Sequence, residues 1–452
     1  MVTTSAPDAG TAPGTRKVLS VPATAARRVR KSAQSTPGRL FVVGVGLVVL
    51  ALVTGVVGAL AMQQKQSTID NLIEHREPVA AASQQIYRSL SDADATAASA
   101  FLAGGTPPAA LRDRYELDIA TAGANLAEAS ADVGGVVAAE RQVNELAKQL
   151  PVYTGLVETA RAYNRQGYPS GAAYLREASG LMRAKILPAA QELYRIDFER
   201  LAAEQDAAGS FPWFTLALVL VLLGALVAAQ RYLLRRTNRL LNVGLVVATG
   251  AVVVGLIWGS AALLIESSRV SDGHEHGTSQ VEVIVQARIV ALKMRANETL
   301  TLVARGDGAE YEAEFKELTK ELTGRSDENL LVRAQGLSAT QETTDLLAAA
   351  QKNADDWLTA HNRVRELDDG GSYQEAVSLA ISTDAKTSAA TMFTMLDDNL
   401  LKALNHGRQK FVEETSGASN VMTGLVPGVA LLALLAAAGV TMGIRDRLRE
   451  YR

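Results

Sequence analysis

Four long uncharged apolar stretches constrain this chain more than any other feature of its sequence. Each runs 19 to 25 residues without Asp, Glu, Lys or Arg, at Leu40–Met62, Phe211–Ala229, Leu241–Ile265 and Val421–Ile444. A helix rises about 1.5 Å per residue, so each stretch covers the roughly 30 Å hydrocarbon core of a bilayer. A very apolar buried core helix is the alternative, but four such stretches favour membrane spans. The sequence therefore predicts an all-α membrane protein with four transmembrane helices.

The distribution of basic residues predicts the side of the membrane on which each segment lies. The short segments 1–39, 230–240 and 445–452 together hold 15 Lys and Arg against 3 Asp and Glu. The long segments 63–210 and 266–420 hold more acidic than basic residues. Short loops rich in Lys and Arg stay cytoplasmic, whereas long domains cross the membrane largely regardless of charge. We therefore expect a multi-pass protein of the cell membrane with both termini in the cytoplasm and both long segments outside.

The start of the chain is predicted to be a tail followed by an uncleaved transmembrane helix. Residues 1–36 are rich in Ala, Thr, Ser, Pro and Arg, which predicts a disordered cytoplasmic tail whose basic cluster lies against anionic lipid. Ala59-Leu60-Ala61 resembles a signal-peptide cleavage site. The apolar stretch before it exceeds the about 7–15 residues of a signal-peptide core, and its periodicity continues into Ile69. An uncleaved helix is therefore favoured.

Apolar residues at helical spacing fill both long segments, and Gly-rich or Pro-rich breaks divide each into four helices. The breaks lie at Gly104–Pro108, Gly134–Gly135 and Gly167–Pro169 in the first segment, and at Gly306–Gly308, Gly324–Ser326 and Asp368–Gly371 in the second. The break at Gly324 is expected to interrupt one helix. The pattern predicts two extracytoplasmic four-helix bundles whose first and last helices continue into the membrane.

The two halves of the chain align at a shift of 203 residues. Met62 at the first membrane exit corresponds to Ile265, and Ala93–Thr96 corresponds to Ala296–Thr299. The identities are few, but the order of span, four helices and span recurs at one common shift. We predict an internal duplication with the same topology in both halves.

Residues that usually carry catalysis or bind metals are sparse. The chain has no cysteine, which excludes thiol nucleophiles and thiolate metal sites. It has no Gly-rich phosphate loop with Lys, no nucleophile elbow and no H-E-x-x-H motif. His274 and His276 do not share a helix face, and no third ligand is evident. We expect no enzyme, no cofactor, no metal and no nucleic-acid partner.

Two arginines are the candidate ligand-binding or partner-binding residues. Arg288 and Arg295 lie seven residues apart and share one face of the first helix of the second bundle. Paired guanidinium groups can clamp a carboxylate or another anion. The alternative is that they form salt bridges to a neighbouring helix, such as the one carrying Glu312, Glu314 and Glu317.

Small residues at four-residue spacing predict contacts between membrane helices. They are Ala251, Gly255 and Gly259 in the third span, and Gly424 and Gly428 in the fourth. Such spacing lets two helix backbones approach closely. No charged residue lies within any span, which counts against a transporter because ion pathways use intramembrane charges.

Four arginines form the inner loop between the second and third spans: Arg231, Arg235, Arg236 and Arg239. No acidic residue accompanies them. We predict that this basic surface contacts membrane lipids or an acidic surface of a cytosolic partner.

An external four-helix bundle whose end helices continue into the membrane resembles the sensor module of bacterial chemoreceptors and histidine kinases. The whole pattern over residues 37–452, including Arg235-Arg236-x-x-Arg239, looks like the GlnX-type membrane proteins of actinobacteria. That resemblance implies an external glutamine- or glutamate-binding lipoprotein and a cytosolic Ser/Thr protein kinase G as partners. It also allows a homodimer, since related sensor bundles often dimerise.

The resemblance favours a non-catalytic transmembrane sensor or adaptor that relays the status of an extracytoplasmic amino acid. A structural scaffold of the envelope or division complex is the alternative, in which the bundles only hold partners. An external hydrolase would need a cleft with convergent acids or a nucleophile, and the sequence shows none.

Overall fold

The computed structural model describes residues 36–133, 135–237, 242–273, 278–324, 329–382 and 386–449. Across these ranges every regular element is a helix, and four helices are long and apolar enough to cross a membrane. The predicted all-α membrane protein is therefore confirmed. Nearly all of the predicted tail, together with Arg239, His274 and His276, lies outside the described residues.

The chain divides into two compact units. The membrane unit comprises Met1–Ala59, Trp213–Ile257 and Pro427–Arg452, and the bundle unit comprises Leu60–Pro212 and Trp258–Val426. The two long polar segments of the sequence thus lie together in a single unit. The predicted side of the membrane for each segment remains a prediction.

Seven helices form the first half of the chain. In order they are α1 Thr36–Asn71, α2 Glu77–Leu102, α3 Ala109–Asp132, α4 Val137–Arg165, α5 Ser170–Leu181, α6 Leu187–Gly209 and α7 Trp213–Thr237. Two π-helical turns, Leu72–Arg76 and Met182–Ile186, join α1 to α2 and α5 to α6. Proline follows each turn, as Pro78 and Pro188. Because proline donates no backbone hydrogen bond, the helix is locally rearranged rather than ended there.

Eight helices form the second half. They are α8 Val243–Gly273, α9 Ser279–Val303, α10 Ala309–Thr323, α11 Leu330–Gly336, α12 Gln341–Asp369, α13 Tyr373–Ile381, α14 Ala389–Met422 and α15 Leu425–Arg449. Thr340 and Ser388 cap α12 and α14, because their side chains accept hydrogen bonds from backbone N–H groups of the first turn. The interruption predicted near Gly324 is the break between α10 and α11.

The two halves of the bundle unit repeat one arrangement of helices. Helices α4 and α12 both contain 29 residues, and α12 begins 204 residues after α4. Their buried positions match at that shift, as in the pairs Val143 and Leu347, Tyr153 and Trp357, and Val157 and His361. Gly167 and Gly371 also share this shift, and both adopt the positive φ that favours glycine where the next helix turns back. The structural matches therefore fall at a shift of 204, one residue more than the 203 expected from the sequence, and the duplication itself stays a prediction.

The core of the bundle unit is built around α2 and α9. Helix α2 packs on α3 and α6, α9 packs on α10 and α14, and α2 and α9 contact each other. Every residue from Ser89 to Ala100 in α2 and from Met294 to Val303 in α9 is buried. Because α2 presents mainly Ala and Ser there, neighbouring helices can surround it closely. One hydrophobic cluster runs through both halves.

The closest approach of a glycine to the backbone of another helix, within the described part of the membrane unit, lies between α8 and α15. A Cβ added to Gly244 would lie 2.4 Å from the carbonyl oxygen of Gly439 and 2.4 Å from the backbone nitrogen of Gly443. Among the small residues singled out from the sequence, Gly255 comes within 3.3 Å of a Leu432 methyl by the same measure, and Gly424 has nothing within 4 Å.

The other three small residues occupy looser positions. Ala251 packs at the edge of the membrane-unit core, a Cβ on Gly259 would lie 4.0 Å from a Leu425 methyl, and Gly428 is half-buried. The small residues singled out from the sequence therefore do not include Gly244, which makes the closest approach to the backbone of another helix. A packing role for Gly424 and Gly428 stays a prediction.

Gly244→Ala is expected to destabilise the membrane unit, because its new methyl group meets backbone atoms that cannot move aside. Overpacking of this kind costs about 1–3 kcal/mol. Gly250→Ala is the matched control on the same helix, since nothing lies within 4 Å of its added Cβ. Thermal unfolding of the detergent-solubilised chain, followed by circular dichroism, measures both. Equal melting temperatures for the two variants would contradict the close contact.

Candidate functional site

The contact between α2 and α9 joins the two halves of the bundle unit and is unusually polar. Buried side chains on these helices include Asp92, Asp94, Arg288, Arg295, Asn297 and Glu298. Burying a charge is expensive unless it is paired, and apolar replacements of buried pairs are often as stable or more stable. Because stability alone does not require these buried polar side chains, the contact between α2 and α9 is the candidate functional site.

Arg288 is held by an ion pair within the second half. Its Nε donates to Oδ1 of Asp397 on α14 at 2.8 Å, and its Nη2 donates to Oδ2 at 3.1 Å. Its third nitrogen, Nη1, is buried without a hydrogen-bond partner in the described part of the chain. This bidentate geometry is the strongest form of Arg–carboxylate pairing. Arg288 therefore has a helix-to-helix structural contact, although its partner is on α14 and not among the acids of α10.

Arg295 belongs to a buried network centred on Glu298. The Arg295 guanidinium pairs with Glu298 one turn further along α9 and also donates to the carbonyl of Ala380 at 3.1 Å. Glu298 accepts from Nε1 of Trp357 at 3.3 Å and lies 3.1 Å from Nδ1 of His361. Sequence analysis named Arg295 as a candidate site residue, but not Glu298 or the groups on α12.

His361 connects this network to α10. Its Nε2 lies 3.2 Å from Oε2 of Glu312, and its ring stacks on Phe315 with centroids 3.8 Å apart. Burial alone would lower the pKa of His361, but the hydrogen bonds to Glu298 and Glu312 raise it above its ordinary value. Burial would likewise raise the pKa of Glu298, but Arg295 and His361 bring it below its ordinary value. The geometry therefore favours an imidazolium between two carboxylates.

The first half carries the counterpart of this network. The hydroxyl of Tyr153 on α4 donates to Oδ1 of Asp94 at 3.1 Å, and Ser179 donates to the same oxygen at 2.9 Å. The donors Tyr153 and Trp357 each lie 59 residues after the carboxylate that they contact. Burial raises the pKa of Asp94 to about 6, despite these two hydrogen bonds and the nearby charge of Arg183. No cation within salt-bridge distance of Asp94 occurs among the described residues.

A cavity of about 120 Å³, here called the interhalf cavity, opens between α2, α6, α9 and α10. Its polar lining consists of Ser91, Asp94, Arg183, Gln191, Lys293, Asn297 and Glu314, and its apolar lining consists of Leu187, Pro188, Leu292 and Ala296.

Arg183 crosses the cavity from the first half to the second. It donates from Nη1 to Oδ1 of Asn297 at 2.7 Å and to Oε2 of Glu314 at 3.3 Å, and its guanidinium lies over the ring of Tyr311. Nδ2 of Asn297 is buried without a partner in the described residues.

Sequence analysis compared Ala93–Thr96 with Ala296–Thr299 and so had Asp94 and Asn297 in view, but it used them only as evidence of duplication. The two acids Asp92 and Asp94 inside a helix of Ala and Ser were the signal that could have marked this site. Arg183 had no such signal, because a basic residue within a long helix is usually solvated.

The inner arginines lie at the end of the second span. Arg231 and Arg235 are exposed on the last turns of α7, and Arg236 belongs to the same helix. This exposure leaves Arg231 and Arg235 accessible, while the partner predicted for them stays a prediction. Across the residues that the structure describes, no group of three or more His, Asp or Glu is arranged to hold a metal ion.

Comparison with known proteins gives one family. Residues 68–206 match the family model described as Actinobacterial sensor domain. This range is less than half of the chain. It contains α2 and all but the last three residues of α6, the two helices that line the first-half wall of the interhalf cavity. No characterised protein and no solved structure matches the chain. The match supports an actinobacterial membrane protein with a sensor domain.

Proposed function

Starting from a membrane protein that carries an actinobacterial sensor domain, we propose that the chain is a non-catalytic transmembrane sensor or adaptor. In this proposal the bundle unit lies outside the cytoplasm and both termini lie inside. It relays the status of an amino acid, carried by an extracytoplasmic solute-binding lipoprotein, to a cytosolic partner such as a Ser/Thr protein kinase.

The observation that carries this proposal is the continuity of the first long helix. A single helical stretch of 65 residues, Gly38–Leu102, contains both the first apolar span and the buried Asp94. A helix backbone is stiff, so a shift of a residue in the sensor domain is transmitted along its axis. The stretch includes most of α1 and all of α2, and the family match begins within it.

The polar contact between α2 and α9 could act as a conformational switch as well as a structural contact. Buried ion pairs add little net stability relative to apolar packing, so two arrangements of such a contact can lie within a few kcal/mol of each other. A signalling element needs two arrangements whose populations a bound partner can shift. Asp94 on α2 and Asn297 on α9 lie on opposite sides of this contact.

The cytosolic arm of the proposal rests on charge. The short segments at the predicted inner face hold 15 Lys and Arg against 3 acids, and Arg231 and Arg235 are exposed. Complementary charge accelerates association and selects partners, so an acidic surface of a kinase or its adaptor fits this face. Loss of the chain should then change the phosphorylation of that kinase's substrates, and an unchanged kinase would oppose the proposal.

Cysteine crosslinking tests the relay directly, because the chain has no native cysteine. Gly58 and Val429 contact each other in the membrane unit, with an added Cβ on Gly58 lying 3.3 Å from a Val429 methyl. The variant Gly58→Cys with Val429→Cys should form a disulfide between α1 and α15. We expect its rate of formation in membranes to change about fivefold or more when the solute-loaded lipoprotein is added.

Two controls make that measurement decisive. The single variant Gly58→Cys should give no intramolecular crosslink, and the empty lipoprotein should leave the rate of the double variant near its basal value. A scaffold that only holds partners would show the same rate with empty and loaded lipoprotein. That result would favour the envelope or division-complex scaffold over the sensor.

A further inference from the structure

The interhalf cavity is built in a way that the relay alone does not explain. At about 120 Å³ it has room for several water molecules or for a small ligand. Its walls come from both halves, with Asp94 on α2 and Lys293 and Asn297 on α9. A ligand held there would contact both halves at once.

The charges of the cavity divide into a satisfied pair and an unsatisfied pair. Arg183 and Glu314 pair with each other at 3.3 Å, and Arg183 also binds the amide oxygen of Asn297. Asp94 and Lys293 form no ion pair within the residues that the structure describes. Asp94 receives two hydrogen bonds on Oδ1, whereas none reaches its Oδ2 from the described part of the chain. One carboxylate and one ammonium group therefore remain for a ligand.

A buried amide supplies a second, independent sign of a ligand. Asn297 is 1% exposed, and its Nδ2 has no hydrogen-bond partner among the described residues, although its Oδ1 is bound by Arg183. Buried amide groups in folded proteins are nearly always paired, because an unpaired donor loses its hydration without compensation. Asn297 belongs to the cavity lining, on the same wall as Lys293.

We propose that the interhalf cavity binds a small zwitterion, with its ammonium group on Asp94 and its carboxylate on Lys293 and Asn297. A simple anion would leave Asp94 without a counter-charge, and a simple cation would do the same for Lys293. A molecule with both charges satisfies both walls and the free amide donor. This inference deepens the proposed function, and it rests on that function only for the consequence of binding.

The consequence is a bridge between α2 and α9. A zwitterion that spans the cavity stabilises the arrangement in which Asp94 and Lys293 are within its length, and so shifts the population of that arrangement. The chain itself then recognises a solute, in addition to any that a binding protein delivers.

Calorimetric titration of the full chain in lipid nanodiscs tests the site. Glycine, L-alanine, L-serine and L-glutamine are the zwitterionic probes, and acetate and methylammonium carry one charge each. We expect at least one zwitterion to bind and both single-charge probes to bind at least about tenfold more weakly. Acetate would leave the buried carboxylate of Asp94 unpaired, and methylammonium would leave Lys293 unpaired. Absence of binding by all four zwitterions, or equal binding of acetate or methylammonium, overturns the proposal.

Substitutions locate the binding. Asp94→Asn should weaken the binding of the zwitterion about tenfold or more, and Lys293→Met should do the same. Lys293→Met removes no ion pair of the described structure, so it keeps the test valid if Asp94→Asn fails to fold. Asp113→Asn is the matched control, because its side chain is exposed and remote from the cavity lining. Unchanged affinity in Lys293→Met and in folded Asp94→Asn overturns the site.

The pH dependence gives a further readout. The pKa of Asp94 is about 6, set by burial against the hydrogen bonds of Ser179 and Tyr153 and the charge of Arg183. Lys293 and Glu314 are the other charged groups of the cavity. The ionised fraction of Asp94 falls about tenfold between pH 7 and pH 5, so the affinity for a zwitterion should fall by about that factor. An affinity that does not change over this range contradicts an ammonium contact with Asp94.

The two proposals can fail separately. Suppose that a zwitterion binds the nanodisc-embedded chain, but that the crosslinking rate of the Gly58→Cys and Val429→Cys pair is unchanged with zwitterion and with loaded lipoprotein. The proposed binding site is then supported and the proposed relay is contradicted. If the loaded lipoprotein changes that rate but none of the four amino acids binds, the relay stands and the direct site fails.

Discussion

Glu298→Ala is expected to lower the free energy of unfolding of the bundle unit by about 3–5 kcal/mol. Glu298 is fully buried and is the shared acceptor for Arg295, Trp357 and His361. Removing its carboxylate leaves a buried guanidinium without a counter-charge and an indole N–H without an acceptor. Chemical unfolding of the full chain in detergent micelles, followed by circular dichroism, measures the loss.

A surface variant provides the comparison for Glu298→Ala. Glu317→Gln removes an acid that pairs with Lys320, but both of those side chains are about 70% exposed. Exposed pairs contribute little, so this variant should stay within about 0.5 kcal/mol of the unsubstituted chain. If Glu298→Ala were as stable as Glu317→Gln, the buried network would not hold α9 to α12 as the geometry indicates.

Arg288→Met is expected to lower the free energy of unfolding by a similar amount, about 3–5 kcal/mol. The substitution leaves Asp397 on α14 buried and without its bidentate hydrogen-bond partner. Replacing both members, as Arg288→Met with Asp397→Leu, should restore most of the stability, because an apolar pair requires no compensation for lost hydration. The same unfolding measurement compares the single and double variants.

That comparison also separates the two roles considered for Arg288. If Arg288 serves only to bind a ligand, its replacement should not lower the stability of the ligand-free chain. If Arg288 is the structural ion-pair partner of Asp397, its replacement should lower that stability. Equal stability of Arg288→Met and the unsubstituted chain would therefore return Arg288 to the list of ligand contacts and remove it from the structural ones.

The membrane spans were readable from the sequence for a simple physical reason. Hydrocarbon does not tolerate unpaired charge, so a spanning helix must have about 20 apolar residues in a row, and this requirement is local. The stretches at Leu40–Met62 and Phe211–Ala229 lie within or overlap α1 and α7. Most breaks between the helices of the bundle unit were predictable for the same reason, since Gly and Pro act on their immediate neighbours. The break between α13 and α14 was not, because residues 382–388 contain neither Gly nor Pro, and the sequence predicted one continuous helix there.

The ion-pair partners of the buried charges could not be predicted from the sequence. Arg288 was predicted as a ligand or partner contact, with a salt bridge to a neighbouring helix such as α10 as the alternative. It pairs with Asp397 on α14, 109 residues further along the chain. Arg183 and Glu314 meet across 131 residues. The 3.6-residue period of a helix shows which face is buried, but it carries no information about which other helix covers that face.

The sequence by itself determined that this is a helical membrane protein with two long helical segments, because charge-free length and helix-breaking residues act locally. Only the tertiary structure decided that α2 and α9 meet, that Gly244 lies against the backbone of α15, and that Asp94, Arg183 and Asn297 line one cavity. Those pairings depend on how whole helices pack, and the packing is set by the fit of surfaces that lie far apart in the chain.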